Sequence, residues 1–329
     1  MQPFTIGNIV AMPGSIAKGK LGSIYLSDGT QVDIPVMVMN GKSAGPVLWL
    51  GAAMHGQELS GIAVLWEIFR QIAPNSLKGT IVAAPLLNPL SFNGGTYFTP
   101  QDGYNINRVF PGDARGLTSS RLANLIVEEG IKKVDYIIDF HANPDPAMCF
   151  AIIKESSDAS LFARCREMAA AFGITTVEML LAFEAHRTGT LIDTANKLGK
   201  PALVLELVPW RMISPLAVKV GVRGALNVMK RLGMIAGEVE AQTDILVFNG
   251  RYSRTEVTAT RGGLAKEFKA PGDPVKKGDV VGQIVNAYGD PVEDIVSPVD
   301  GWLLAWSFMG NQAANSGDIL AFFLFERKG

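Results

Sequence analysis

Four short runs, VLWLGAA (47–53), TIVAAPL (80–86), DYIIDF (135–140) and ALVLEL (202–207), are too apolar for either face to meet water. Strands of that composition belong in a sheet covered on both sides, usually parallel or mixed. Helical patterns lie between them, at Leu59 to Ile72, Thr118 to Lys132, Asp158 to Phe172 and Pro215 to Leu232, the last with Ser214 as N-cap and Gly233 just past its end. The alternation predicts an α/β fold, a mixed and mostly parallel sheet with helices on both faces. In open sheets of this kind the functional site lies outside the carboxyl ends of the strands.

Two segments flank this pattern. Ahead of it, GSIYLSDGTQVDIPVMVM reads as a hairpin turning at Ser-Asp-Gly. After about Gly237 the helical patterns stop, and APGDPVKKGDVVGQIV and SPVDGWLLAW show short strands broken by Pro-Gly, Gly-Asp and Asp-Gly turns. The expected organisation is therefore a catalytic domain over residues 1–237 and a small all-β domain over 238–329.

Charge narrows the partners. With 30 basic against 31 acidic residues and a net charge of -1, nothing recruits nucleic acid or anionic lipid, so a small molecule is the expected partner. No stretch reaches the apolar length of a membrane span and MQPFTIGNIVAMPGS lacks signal-peptide character, so a cytoplasmic address is expected. Cys149 and Cys165 have no metal-type spacing and read as buried thiols. The sequence fixes no oligomeric state, and a homo-oligomer is compatible with it.

The chain has three histidines, and two of them follow apolar runs directly. His55 comes after the first run, with Glu58 three residues on, read as opening the next helix. An imidazole and a carboxylate at that spacing can converge on one ion, although His-x-x-Glu alone is common and a capping or surface glutamate is the competing reading. Gly56 between them reads as the residue that allows a tight turn. His141 follows DYIIDF, so it emerges at the same sheet edge. Asp139 shares its strand face and is placed to accept the spare imidazole N–H, a buried salt bridge being the alternative.

Glu206, near the end of ALVLEL, is an expensive place for an ionised carboxylate unless it is paired or used. Beside an activated water it would serve as general base, and a salt bridge to a helix is the alternative. Three protein ligands, an open position and a nearby glutamate meet the needs of metal-assisted hydrolysis. In the loop 88–112, Asn107 and Arg108 offer an amide and a guanidinium fork for a substrate carboxylate. His186 reads as a rim residue in a loop ahead of a Thr190 to Leu198 helix.

Taken in order, HGQE, NP…F…G…P.DG…NRVFPG, DFH and the glutamate of VLELV resemble the succinylglutamate desuccinylase and aspartoacylase family, which belongs with the zinc carboxypeptidases. The resemblance implies a zinc carboxypeptidase-like fold and one Zn2+ per chain, held by His55, Glu58 and His141. It implies Glu206 as general base and Asn107 and Arg108 as the carboxylate clamp. The reaction implied is hydrolysis of a linear amide, joining a small acyl group to an amino acid or diamino acid, by a metal-activated water. A metallocarboxypeptidase acting on short peptides and a non-catalytic ligand-binding member are the alternatives.

Where many members read Gly-Thr-Arg, this chain reads Gly95-Thr96-Tyr97. The arginine expected to polarise the scissile carbonyl is thus replaced by a phenol, and Arg187 is the residue expected to reach in. The tail resembles a lipoyl or biotinyl barrel-sandwich, but NAYGDPVEDI holds no lysine to modify, so its expected role is to narrow access to the site.

Overall fold

The computed structural model describes residues 2–180, 188–308 and 312–327. At its centre the strands Lys78–Ala84, Ser43–Ala52, Tyr136–Ala142 and Ala202–Leu207 lie side by side, all parallel. Leu48 and Leu50 enter one apolar cluster and Trp49 the other, as Ile138 and Ile137 do on the next strand. Both faces of these strands are therefore dry, which is why the runs show no polar alternation.

Helices Ser60–Gln71, Ala159–Phe172 and Pro215–Arg231 contribute to the first cluster, and Thr118–Glu129 and Leu191–Lys197 to the second. Their caps agree with the sequence: Asp158 and Ser214 accept from backbone N–H groups of the first turn, and Thr190 and Asp193 form a capping box. Glu58 differs from expectation. The helix begins at Ser60, so Glu58 lies in the preceding turn, where its own N–H donates to the His55 carbonyl.

The expected hairpin, Ser15–Tyr25 with Gln31–Asn40, forms one edge of the same sheet through an antiparallel pair with Lys78–Ala84. On the other side two strands absent from the sequence reading, Phe150–Lys154 and Thr176–Met179, extend it. Tyr252–Thr258 then adds in parallel, followed by Ile319–Glu326, Gly301–Trp306 and Pro274–Val275, giving twelve strands among the described residues.

The rest of the C-terminal segment forms a separate four-stranded antiparallel sheet, built on Gly263–Glu267, Val280–Val285 and Pro291–Val296. Its Ala265, Val281, Ile284 and Ile295 pack with Leu303, Trp306 and Phe323 of the long sheet, so the two sheets enclose a small core. No helix among the described residues is long and apolar enough to cross a membrane.

Candidate metal centre and its cavity

Where the strand Ser43–Ala52 ends, Ala53 takes a left-handed φ of 49° and the chain turns through His55, Gly56 and Gln57 to Glu58. A non-glycine residue in that region is strained and persists only where its surroundings hold it. Hydrogen bonds from Leu87 and Asn88 N–H to the Ala52 and Ala53 carbonyls supply that support. Gly56 is required for another reason than the expected tight turn. A Cβ there would meet the Ser91 carbonyl oxygen at 1.9 Å, so the segment 91–96 crosses directly over it.

This turn sets His55 Nδ1 2.8 Å from Glu58 Oε1. The strand Tyr136–Ala142 continues through His141, whose Nδ1 lies 3.2 Å from the same carboxylate. All three side chains are buried, and one ligand atom from each lies within 4.8 Å of the others.

The tautomers follow from the outer partners. His141 Nε2 is 2.9 Å from Asp139 Oδ2 and His55 Nε2 is 3.0 Å from Asn105 Oδ1, an atom that also accepts the Asn107 backbone N–H. Both Nε2 atoms therefore donate, and both Nδ1 lone pairs face the Glu58 carboxylate. Three converging electron-pair donors repel one another unless positive charge lies among them. A divalent cation meets that need, and two imidazoles with a carboxylate are a donor set that zinc accepts.

The electrostatics agree. Burial works against ionised Glu58, but the two imidazoles outweigh it and hold the carboxyl at about 2. Burial likewise opposes charge on His141, yet Glu58 and Asp139 push it well above its ordinary value. In the metal-free protein a proton thus stands where a cation is called for.

Glu206 is the register partner of His141 on the neighbouring strand, is half-buried and lines the cavity. Burial raises its carboxyl to about 7, with Glu58 pushing the same way and His141 opposing. Two carboxyl groups in one site are so driven to opposite ends of the scale, one toward permanent charge and one toward proton exchange near neutrality.

The cavity measures about 420 Å³ and is also lined by Tyr97, Asn107 and Arg108. Asn107 Oδ1 accepts the Leu191 backbone N–H and an Arg108 guanidinium nitrogen donates to the Asn107 carbonyl, so the pair is tied to the start of the helix Leu191–Lys197. Gly189 supports this contact: with φ of 75°, it lies where a Cβ would come within 2.3 Å of the Arg108 carbonyl oxygen.

Tyr97 stacks on the His55 ring at 4.0 Å and 15° and has Trp210 as a further aromatic neighbour at 5.7 Å. Burial, with the charge of Glu58, keeps its phenol protonated beyond its usual range, so it remains a hydrogen-bond donor. Asp139 sits behind His141 and does not line the cavity. His186 and Arg187 lie outside the described residues.

Sequence reasoning missed Asn105, Trp210, Arg254 and Glu256. Asn105 was open to discovery, standing two residues before Asn107 in a loop already singled out. Arg254 and Glu256 line the cavity from the C-terminal strand Tyr252–Thr258, which reaches it through long-range pairing with Thr176–Met179.

The succinylglutamate desuccinylase/aspartoacylase catalytic-domain model matches residues 44–232. A protein of Halomonas elongata named N-alpha-acetyl-L-2,4-diaminobutyric acid deacetylase is 28% identical over 304 residues, covering 88% of this chain and 85% of the relative. A crystal structure of a succinylglutamate desuccinylase/aspartoacylase from Rhodobacter sphaeroides superposes with a TM-score of 0.85 at 25% identity, covering 95% of this chain and 96% of that one. The product-bound ectoine utilization protein EutE (DoeB) from Ruegeria pomeroyi shares the fold, with a TM-score of 0.86 at 23% identity over 98% and 99% of the two chains. With more than half its length matched by that catalytic-domain model, the chain belongs to the succinylglutamate desuccinylase/aspartoacylase family.

Proposed function

We propose that this protein is a zinc-dependent hydrolase of small N-acyl amino acids, with N-acylated diamino acids as the leading substrate class. The observation that carries the proposal is the convergence of two oriented Nδ1 lone pairs and the Glu58 carboxylate beside Glu206, in one cavity. The name of the Halomonas relative supports the acyl amino acid class. A cavity of about 420 Å³ suits a molecule of that size.

His55, Glu58 and His141 would hold the ion. When bound, a divalent cation there supplies a Lewis acid that acidifies a water molecule and polarises an amide carbonyl. Glu206 takes a proton from the attacking water as the new C–O bond forms, then returns it to the nitrogen as the C–N bond breaks. Asn107 and Arg108 hold the substrate carboxylate, which fixes the amide relative to Glu206. Tyr97 orients His55 through its stack and offers its O–H to the carbonyl oxygen. Arg187 is assigned as a further substrate contact, and Asp139 holds the His141 ring.

In this reading residues 1–237 carry out the reaction, and residues 238–329 restrict entry to small substrates. Parallel assays of acetylated and succinylated amino acids and of short peptides test it. Release of the acyl group from the former is the expected result. Cleavage of peptides alone would replace the deacylase with a carboxypeptidase.

A further inference from the structure

Three carboxylates line the cavity among the described residues, and the reaction uses two of them, Glu58 and Glu206. The third, Glu256, has no part in it. It stands on Tyr252–Thr258 with Arg254 two positions earlier, so both side chains leave the same strand face. Arg254 lies over the Phe322 ring at 4.5 Å, and Phe322 is the register partner of Glu256.

The frame around this carboxylate is firm. Tyr252, Phe322 and Leu324 share an apolar cluster with Phe150, Ile152 and Val177 of the central sheet. Beside it, Glu178 binds Arg166, Arg251 and Arg327, which ties both ends of the C-terminal segment to the strand Thr176–Met179. Glu256 is thus presented to the cavity by packed strands, as a recognition group has to be.

Ile152, Met179, Ile192 and Val204 also line the cavity, apolar side chains suited to a short methylene chain. A substrate complementary to this lining has a carboxylate for Asn107 and Arg108, an amide at the metal site, a few methylenes and a cation.

We propose that Glu256 receives the free ammonium of the substrate's amine half, so that the site selects N-acyl diamino acids over N-acyl amino acids with neutral side chains. This inference rests on the deacylase reading above. The test compares kcat/KM for N-acetyl-2,4-diaminobutyrate and for N-acetyl-2-aminobutyrate, which lacks the amine, in the zinc-loaded protein. A preference of at least about tenfold for the amine-bearing compound is expected, the scale of one charge-assisted contact.

Glu256→Gln should bring that ratio toward one, chiefly by raising KM for the diamino compound, while Glu256→Asp retains part of it. A folded Glu256→Gln protein with the wild-type ratio overturns the inference. So does a wild-type ratio at or below one, which requires no variant. Hydrolysis of neither compound, nor of any other N-acyl amino acid, overturns the deacylase reading itself.

Discussion

His55, Glu58, His141 and Glu206 sit at the carboxyl ends of neighbouring parallel strands, whereas Arg254, Glu256 and Phe322 reach the same cavity from antiparallel strands of the C-terminal segment. In the first group backbone topology does the placing, and each residue follows or ends an apolar run. In the second, placement depends on a strand pairing more than seventy residues away in sequence, Tyr252 against Val177. On the proposed function this difference separates reaction from selection: the strand-end group would assemble the chemistry, and the C-terminal wall would set which molecules reach it.

If that division holds, the largest effects come from the strand ends. His141→Ala removes one of three ligands and leaves Glu58 with a single imidazole, so bound zinc and activity are both expected to vanish. Elemental analysis of the purified variant checks this, and a variant that kept stoichiometric zinc would contradict the ligand assignment.

Next comes Glu206→Gln. A general base is worth about 10²–10⁴ in rate, and a loss of kcat on that scale is expected with zinc content unchanged. The pH profile carries the same residue. A base works only when deprotonated, so kcat/KM falls as pH drops through the Glu206 pKa. Burial sets that value at about 7, and a cation held by His55, Glu58 and His141 would draw it lower. An acidic limb at or below pH 7 is therefore expected in the wild type. A limb well above 7 would point to another group.

Asp139→Asn loses the carboxylate that holds His141 Nε2–H and is expected to weaken metal affinity by about 10–100-fold, read by competition with a chelator. Tyr97→Phe keeps the ring stack on His55 but removes the O–H, so it isolates the phenol's part in catalysis. A fall in kcat of about tenfold, with zinc binding retained, is the expected outcome, smaller than the 10²–10³ lost with a strong oxyanion donor. No change in kcat would leave Tyr97 with the stack alone.

The smallest effect on rate is expected from Glu178→Gln, since Glu178 fastens the C-terminal wall without touching the cavity. Despite burial, Arg166 and its companions hold this carboxyl at about 2. A carboxylate with a depressed pKa stabilises the fold above its unfolded value of 4.5 and loses that contribution as pH falls toward 2. The variant should melt a few degrees lower near neutrality, with the gap to wild type closing below pH 4.5. A gap that persisted in acid would mean that packing, not charge, makes this fastening.

How far the sequence discloses the molecule follows the same line. The four apolar runs locate the parallel centre, because strands dry on both faces leave no alternation to misread. His55, His141 and Glu206 stand out because polar residues at such strand ends need a reason. Thr176–Met179 hides because buried Glu178 breaks its apolar pattern, and two of the three arginines that compensate it, Arg251 and Arg327, come from the distant C-terminal segment. Glu256 hides for a related reason. A glutamate in a strand rich in polar residues reads as solvated until the strand's partners are known.

The most direct test of the central claim is acetate release from N-acetyl-2,4-diaminobutyrate by one protein sample, measured as purified, after removal of metal by a chelator, and after return of zinc. Release that stops on stripping and resumes with about one zinc per chain is the predicted result. Undiminished release from protein shown to be free of metal would contradict it.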